Sequence, residues 1–90
     1  MGVRISINYT GRVQGVGFRW RVSQIAKSFS CTGYVKNLMN GSVELLVEGK
    51  KEEAYRMVES VNIQMKEFWH NKTVDERAGD AHFSKFTIKY

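Results

Sequence analysis

The spacing of the hydrophobic residues changes along this chain from every second residue to every third or fourth and back again. Residues 3–9 alternate strictly between apolar and polar side chains, which predicts a β-strand with one buried face. Apolar residues from 18 to 29 recur at helical spacing and predict a first helix. A β-rich run at 34–39 and alternation over 43–47 predict two more strands, and helical spacing then returns to about Trp69. This sequence of periods limits the fold to a few mixed α and β arrangements.

The sequence signals for the turns and for the elements near the C-terminus are weaker than those for the first strand and helix. Asn40 and Gly41 predict a hairpin turn, favoured because both positions of a two-residue turn need positive φ angles. Residues 62–73 are polar and free of proline, which favours continuation of the second helix. Residues 73–77 predict a short edge strand, and the alternation of residues 86–90 predicts a final strand.

The predicted order β-α-β-β-α-(β)-β indicates an α+β protein. It favours a ferredoxin-like α/β sandwich, in which a mainly antiparallel sheet of four to five strands carries two helices on one face. The chain has 90 residues and no internal repeat or linker, so one domain over residues 1–90 is expected. Because this fold serves many unrelated functions, the function must be argued from a site.

The charges of the chain are distributed unevenly. Residues 1–43 contain six basic residues and no acid, whereas residues 44–90 contain eight basic residues and all nine acids. The net charge of +5 therefore originates in the first half. Such an asymmetry predicts a surface that attracts an anion, either a nucleic acid or a small phosphorylated substrate.

Several functional classes receive no support from the composition. The single cysteine, Cys31, excludes an intramolecular disulfide framework and is expected to be a small buried hydrophobe. His70 and His82 lack metal-ligand spacing, so they are expected to be exposed or packing side chains, and no metal or cofactor is expected. No apolar run approaches the roughly 20 residues that span a bilayer, and the alternating N-terminus is unlike a signal peptide. A cytoplasmic protein with no membrane partner is expected.

The segment Gly11 to Arg19, with the sequence GRVQGVGFR, is suited to holding a tetrahedral anion. Its glycines allow successive backbone N–H groups to converge into a concave nest. The helix N-terminus just beyond adds unpaired N–H groups and the positive end of a dipole. Arg19 can present a planar fork of donors to phosphate oxygens. The spacing fits neither the P-loop nor the dinucleotide motif, and a plain glycine-rich turn with a surface arginine fits this segment equally well.

Residues 11–19 resemble the first signature of the acylphosphatase family. Residues 33–37, which read GYVKN, resemble the second signature together with Gly41, Val43 and Gly49. The resemblance implies a ferredoxin-like fold with five strands. It also implies metal-free hydrolysis of a small acyl phosphate to a carboxylate and inorganic phosphate.

The resemblance also implies roles for individual residues. Arg19 would bind the phosphoryl group, and Asn37 would orient the attacking water. Gln14 would shape the loop rather than react, Lys36 would add positive potential, and the side chain of Phe18 would belong to the core. The implied phosphate-binding residues are Gln14, Gly15, Val16, Gly17, Phe18 and Arg19, with the backbone N–H groups of about residues 15–18 as donors.

Two other functions fit parts of the sequence. Nucleic-acid binding would use exposed aromatics such as Tyr34 on the sheet, but the aromatic signature of RNA-recognition sheets is absent, so no nucleic-acid partner is expected. The chain also resembles the acylphosphatase-like module found at the start of larger hydrogenase-maturation proteins, in which case it would be an excised domain. The favoured reading is a free, monomeric acylphosphatase.

Overall fold

A computed structural model describes residues 2–90 of the chain, which form a five-stranded sheet with two helices packed on one face. In chain order the elements are β1 (Gly2–Gly11), α1 (Phe18–Ala26), β2 (Thr32–Asn37), β3 (Val43–Gly49), α2 (Lys51–Gln64), β4 (Trp69–Gly79) and β5 (Phe86–Lys89). The strand order is β4-β1-β3-β2-β5, and all neighbours are antiparallel except β2 and β5, which are parallel. The predicted ferredoxin-like α+β fold is confirmed. Neither helix in residues 2–90 has the length and apolar content needed to cross a membrane.

The core lies between the sheet and the two helices. β1 alternates as predicted, because its odd-numbered residues from 3 to 9 are buried and its even-numbered neighbours are more exposed. Each helix contributes one buried stripe: Phe18, Val22 and Ile25 from α1, and Ala54, Met57, Val58 and Val61 from α2. Cys31 is buried as expected, and this burial, with a smaller effect of the nearby Glu53 charge, raises the pKa of its thiol to about 11. The thiol is therefore a packing group and not a nucleophile at neutral pH.

The end of the second helix differs from the prediction. α2 ends at Gln64 instead of continuing to about Trp69, and a turn over residues 65–68 follows. Trp69 begins β4, where its indole N–H donates to the Asn62 carbonyl at 3.1 Å and its ring centroid lies 5.9 Å from that of Tyr9. These two contacts hold the indole against the sheet, and tertiary packing therefore overrides the helical spacing.

Three other boundaries also shift. The predicted edge strand at residues 73–77 is confirmed, but it extends over Trp69–Gly79 and pairs with β1 along its whole length. Most of its side chains are exposed, so hydrophobic alternation could not reveal its length. α1 ends at Ala26, and Phe29 packs against the core from the following segment. The last strand ends at Lys89.

The predicted hairpin between β2 and β3 is present, but its turn has a different geometry. Gly41 has a φ of +91°, whereas Asn40 does not have a positive φ, since only glycines do so among residues 2–90. The prediction of two positive φ angles is therefore wrong. The connection has five residues, and the Asn40 side-chain oxygen accepts hydrogen bonds from the Ser42 N–H at 3.0 Å and the Ser42 hydroxyl at 2.5 Å. A turn stabilised by the Asn40 side chain thus takes the place of the predicted turn with two residues of positive φ.

A buried carboxylate, Glu48, lies on the face of the sheet away from the helices and has no exposed surface. Its oxygens accept hydrogen bonds from the Arg4 Nε at 2.9 Å and the Thr32 hydroxyl at 3.0 Å. They also accept bonds from the backbone N–H groups of His82 at 2.8 Å and Phe83 at 3.0 Å. Burial by itself would raise the pKa of Glu48, but the four hydrogen bonds outweigh it and lower the pKa below its usual 4.5. Glu48 therefore ties β1, β2 and the segment before β5 together.

Replacing Glu48 by Gln should lower the stability and flatten its acid dependence. A carboxamide NH₂ cannot accept hydrogen bonds, so buried donors lose their acceptor at about 1–3 kcal/mol each. Because the folded pKa of Glu48 is lowered, its contribution is complete above the unfolded pKa and is lost as the pH falls through the folded value. Urea unfolding at about pH 7 and pH 3 should therefore show a smaller difference in Glu48→Gln than in the wild type. Glu59→Gln removes the same charge from an exposed position and should behave like the wild type; an identical loss in both variants would contradict this role.

Candidate active site

The loop between β1 and α1 opens into a pocket of about 180 Å³. The pocket is also bounded by the first turn of α1, which continues the loop, and by the ends of β2 and β5, so three separate segments of the chain meet there. Its lining residues are Val13, Gly15, Gly17, Phe18, Arg19, Trp20, Asn37, Ile88 and Tyr90. None of these residues is acidic. The structure therefore brings Arg19 and Asn37, predicted from two separate motifs, into one pocket.

Gly15 and Gly17 form the main-chain part of the pocket wall. Both have φ of +77°, in the left-handed region where a side chain is strained. Within residues 2–90, no hydrogen bond is donated by the backbone N–H groups of residues 15–18, and the helix begins with the Arg21 N–H donating to the Gly17 carbonyl at 3.0 Å. The loop and the first turn of α1 therefore provide a group of unpaired N–H donors beside the pocket.

The loop is held in place by the side chain of Gln14. Its Nε2 donates to the Leu38 carbonyl at 2.7 Å and to the Ser42 carbonyl at 2.9 Å, which anchors the loop to the β2–β3 connection. Neither Gln14 nor Val16 lines the pocket, and Val16 packs against the edge of the core. The Gln14 side chain thus shapes the loop, as the sequence suggested. Gln14 and Val16, both expected to bind phosphate, thus lie outside the residues that line the pocket.

Arg19 lies in the first turn of α1 and is half-buried. Its Nη1 donates to the Lys89 carbonyl at 3.5 Å, and its guanidinium carbon lies 4.9 Å from the ring centroid of Tyr90. Among residues 2–90 no carboxylate forms a salt bridge with Arg19. The end of β5 therefore orients the guanidinium, while most of its N–H donors stay available to an anion.

Asn37 is the last residue of β2 and carries an unsatisfied polar atom. Its Oδ1 is buried and has no hydrogen-bond partner among residues 2–90. An unpaired buried acceptor costs about 1–3 kcal/mol, so its position calls for a donor from a bound molecule. Asn37 shares the helix-facing side of β2 with buried Val35, whereas Lys36 lies on the opposite face and does not line the pocket. The positive charge of Lys36 therefore lies on the other side of the sheet from the pocket.

Phe18 lies in the core, as expected. Its side chain is 2% exposed, and its ring centroid lies 5.5 Å from that of Tyr9. His70 and His82 are both exposed, as expected. Within residues 2–90, no group of three or more His, Cys, Asp or Glu side chains is arranged to hold a metal ion.

Trp20, Ile88 and Tyr90 line the pocket but were not predicted as site residues. Trp20 directly follows Arg19, so its position in the first helical turn was a usable signal. Ile88 and Tyr90 share one face of the last strand by alternation, but their place beside Asn37 depends on the parallel pairing of β5 with β2. That pairing joins segments about 50 residues apart and has no local signal in the sequence.

Comparison with known proteins identifies close similarity along nearly the whole chain. The family model described as acylphosphatase matches residues 5–88. An acylphosphatase of Picrophilus torridus is 34% identical over 82 residues, which cover 91% of this chain and 96% of that protein. The crystal structure of acylphosphatase from Bacillus subtilis superposes with a TM-score of 0.84 at 32% identity, covering 98% of this chain and 99% of the other. Full-length HypF, in its phosphate- and nucleotide-bound form, matches with a TM-score of 0.78 at 28% identity, but the match covers only 12% of its length.

Replacing Gly17 by Ala should weaken binding of inorganic phosphate. A Cβ at this position meets no atom within 4 Å, so the effect is due to the positive φ, which costs about 1–2 kcal/mol in a non-glycine residue. Relief of that strain would move the adjacent N–H groups, and loss of one hydrogen bond to an anion weakens binding about tenfold or more. Gly41→Ala is the matched control, because Gly41 also has a positive φ and open space but does not line the pocket. Calorimetric titration with phosphate should separate the two variants, and equal affinities would contradict a backbone nest.

Proposed function

Because this chain belongs to the acylphosphatase family and is an acylphosphatase, a hydrolase, we propose specific roles for the two polar residues of the pocket. Arg19 and the loop backbone bind the phosphoryl group of a small acyl phosphate. Asn37 holds the nucleophilic water. The observation that carries this proposal is the buried, unpaired Oδ1 of Asn37 in the same acid-free pocket as Arg19.

The phosphoryl group is held by two kinds of donor. The unpaired N–H groups of residues 15–18 and the N-terminal end of the α1 dipole favour a negative charge. Arg19 adds a full positive charge and a planar arrangement of donors that matches two phosphate oxygens. Phosphoryl transfer asks an enzyme chiefly for positioning and stabilisation of charge on the equatorial oxygens. This set of donors supplies both.

Asn37 positions the water without taking its proton. The Oδ1 accepts a hydrogen bond from the water, but a carboxamide is not a base. In the proposed step the water oxygen forms a bond to phosphorus while the bond from phosphorus to the acyl oxygen breaks. The carboxylate leaves with the electron pair, and a phosphoryl oxygen receives the proton. The products are a carboxylate and inorganic phosphate.

The leaving group explains why the proposed reaction needs no general acid and no cofactor. A carboxylic acid has a pKa near 4–5 by analogy with side-chain acids, so the carboxylate departs without protonation at neutral pH. The enzyme therefore has only to bind the phosphoryl group and orient the water. Both tasks lie within the chemistry of Arg19, Asn37 and the loop backbone.

Hydrolysis of benzoyl phosphate in EDTA tests the two roles. The wild type should keep its activity in the chelator. Arg19→Ala should lower kcat/KM by about 10³–10⁵, the range for arginines that stabilise a transferring phosphoryl group, and Arg19→Lys should restore only part because the planar fork is missing. Asn37→Ala should lower kcat by about 100-fold or more with little change in KM, because a misplaced nucleophile costs rate and not substrate binding.

Two exposed residues provide matched controls for this experiment. Arg56→Ala and Asn71→Ala remove the same side-chain types from the surface and should keep wild-type kinetics. Activity abolished by EDTA would contradict the metal-free mechanism. A rise in KM with unchanged kcat in Asn37→Ala would make Asn37 a binding residue instead of the residue that orients water.

We also propose that the protein acts as a monomer in the cytoplasm. The support for the monomer is that a single chain supplies every residue of the pocket. Light scattering should give a mass of 10.4 kDa for this chain. A dimer mass at micromolar concentration would contradict the monomer.

A further inference from the structure

A second cavity, a groove between α1 and α2, adjoins the candidate active site. Its volume is about 500 Å³, compared with about 180 Å³ for the pocket itself. Trp20 lines both cavities and is 62% exposed. The exposed indole stands at the junction of the two cavities, where its face is available to a bound organic group.

The lining of the groove is apolar at its base and uncharged along most of its rim. Ile25 and Met65 are buried residues of the two helices and form the apolar base. Gln24, Ser28 and Gln64 supply neutral polar groups around it, and Arg21 adds one positive charge, with its guanidinium carbon 5.5 Å from the Phe68 ring centroid. Among the described residues that line the groove, none is acidic. Such a lining suits a neutral organic group with aromatic or aliphatic carbon.

The geometry of phosphoryl transfer directs the leaving group toward this groove. In an in-line displacement the leaving oxygen lies opposite the attacking water. Asn37, which holds the water in the proposed mechanism, belongs to the sheet layer, whereas Trp20 belongs to the helix layer and faces solvent. Trp20 lines both cavities, so an acyl group on the helix side of the pocket would lie beside the indole and next to the groove.

We propose that Trp20 and the groove between α1 and α2 form a subsite for the acyl group of the substrate. The substrate class is an acyl phosphate with an aromatic or aliphatic acyl group larger than acetyl. The phosphate pocket holds the phosphoryl group, and the indole stacks on or covers the acyl carbon atoms. This inference rests on the proposed function and specifies its substrate.

The test compares kcat/KM for acetyl, benzoyl and octanoyl phosphate in the wild type, Trp20→Ala and Trp20→Phe. The intrinsic reactivity of each substrate cancels when one substrate ratio is compared between variants. In Trp20→Ala the benzoyl-to-acetyl ratio should fall roughly three- to tenfold, the range that one aromatic contact provides. Trp20→Phe should keep most of the ratio, because it retains an aromatic face. Calorimetry with methylphosphonate and benzylphosphonate should show the same loss of preference without turnover.

The outcomes separate this subsite from the proposed function. If Trp20→Ala lowered kcat/KM for all three substrates by the same factor, the subsite would be refuted while the roles of Arg19 and Asn37 stood. Ser28→Trp places a bulky ring on the groove, and it should reduce the octanoyl-to-acetyl ratio; an unchanged ratio would also count against the groove. If the wild type hydrolysed none of the substrates, the proposed function would fall and the subsite with it.

Discussion

The buried carboxylate of Glu48 is the interaction on which the geometry of both the fold and the site depends. β5 has only four residues and lies at the edge of the sheet, so its own ladder of hydrogen bonds to β2 is short. The segment that leads into it is fixed because the His82 and Phe83 N–H groups donate to Glu48 from beyond the strand. β5 in turn carries Ile88 and the Lys89 carbonyl, one of which lines the pocket while the other orients the guanidinium. A buried carboxylate on one face of the sheet is thus connected, through the segment before β5 and β5 itself, to the carbonyl that contacts Arg19 on the helical side.

The proposed site combines a loop anchored by two side-chain hydrogen bonds with one buried acceptor that has no partner within residues 2–90. Gln14 fastens the loop to the β2–β3 connection through two carbonyls, so the left-handed glycines keep their positions without contacting a substrate. Asn37 is different, because its buried oxygen has no hydrogen-bond partner among residues 2–90, an arrangement that costs free energy until a bound molecule supplies a donor. Proteins commonly retain such a destabilising group where function needs it. In the proposed mechanism this acceptor is preorganised for the attacking water, since the side chain needs little rearrangement when the water binds.

The strand and helices with a clear hydrophobic periodicity could be predicted from the sequence. The site residues could also be predicted where they lie in the two acylphosphatase-like motifs. β1 and both buried helical stripes follow directly from spacing, and Arg19 and Asn37 lie in one pocket as the family resemblance implied. The end of α2 could not be predicted, because Trp69 suits either a helix or a strand until its ring meets the sheet. β4 had little signal because most of its side chains face solvent. Tyr90 lines the pocket only because β5 pairs in parallel with β2, a distant segment of the chain. The local spacing of hydrophobic residues does not indicate which strands pair.

The uneven charge of the chain acquires a physical meaning once the strand order is known. The loop and the first turn of α1 come from the acid-free half of the sequence, so Arg19 faces the pocket without a competing carboxylate. The acids of β4, Asp75 and Glu76, lie at the opposite edge of the sheet from β5. β4 is separated from β2 by three strand spacings, roughly 14 Å, which exceeds the Debye length of about 8 Å at physiological ionic strength. The sheet therefore keeps the two acids of β4 away from the pocket, whose lining residues include Arg19 and no acid.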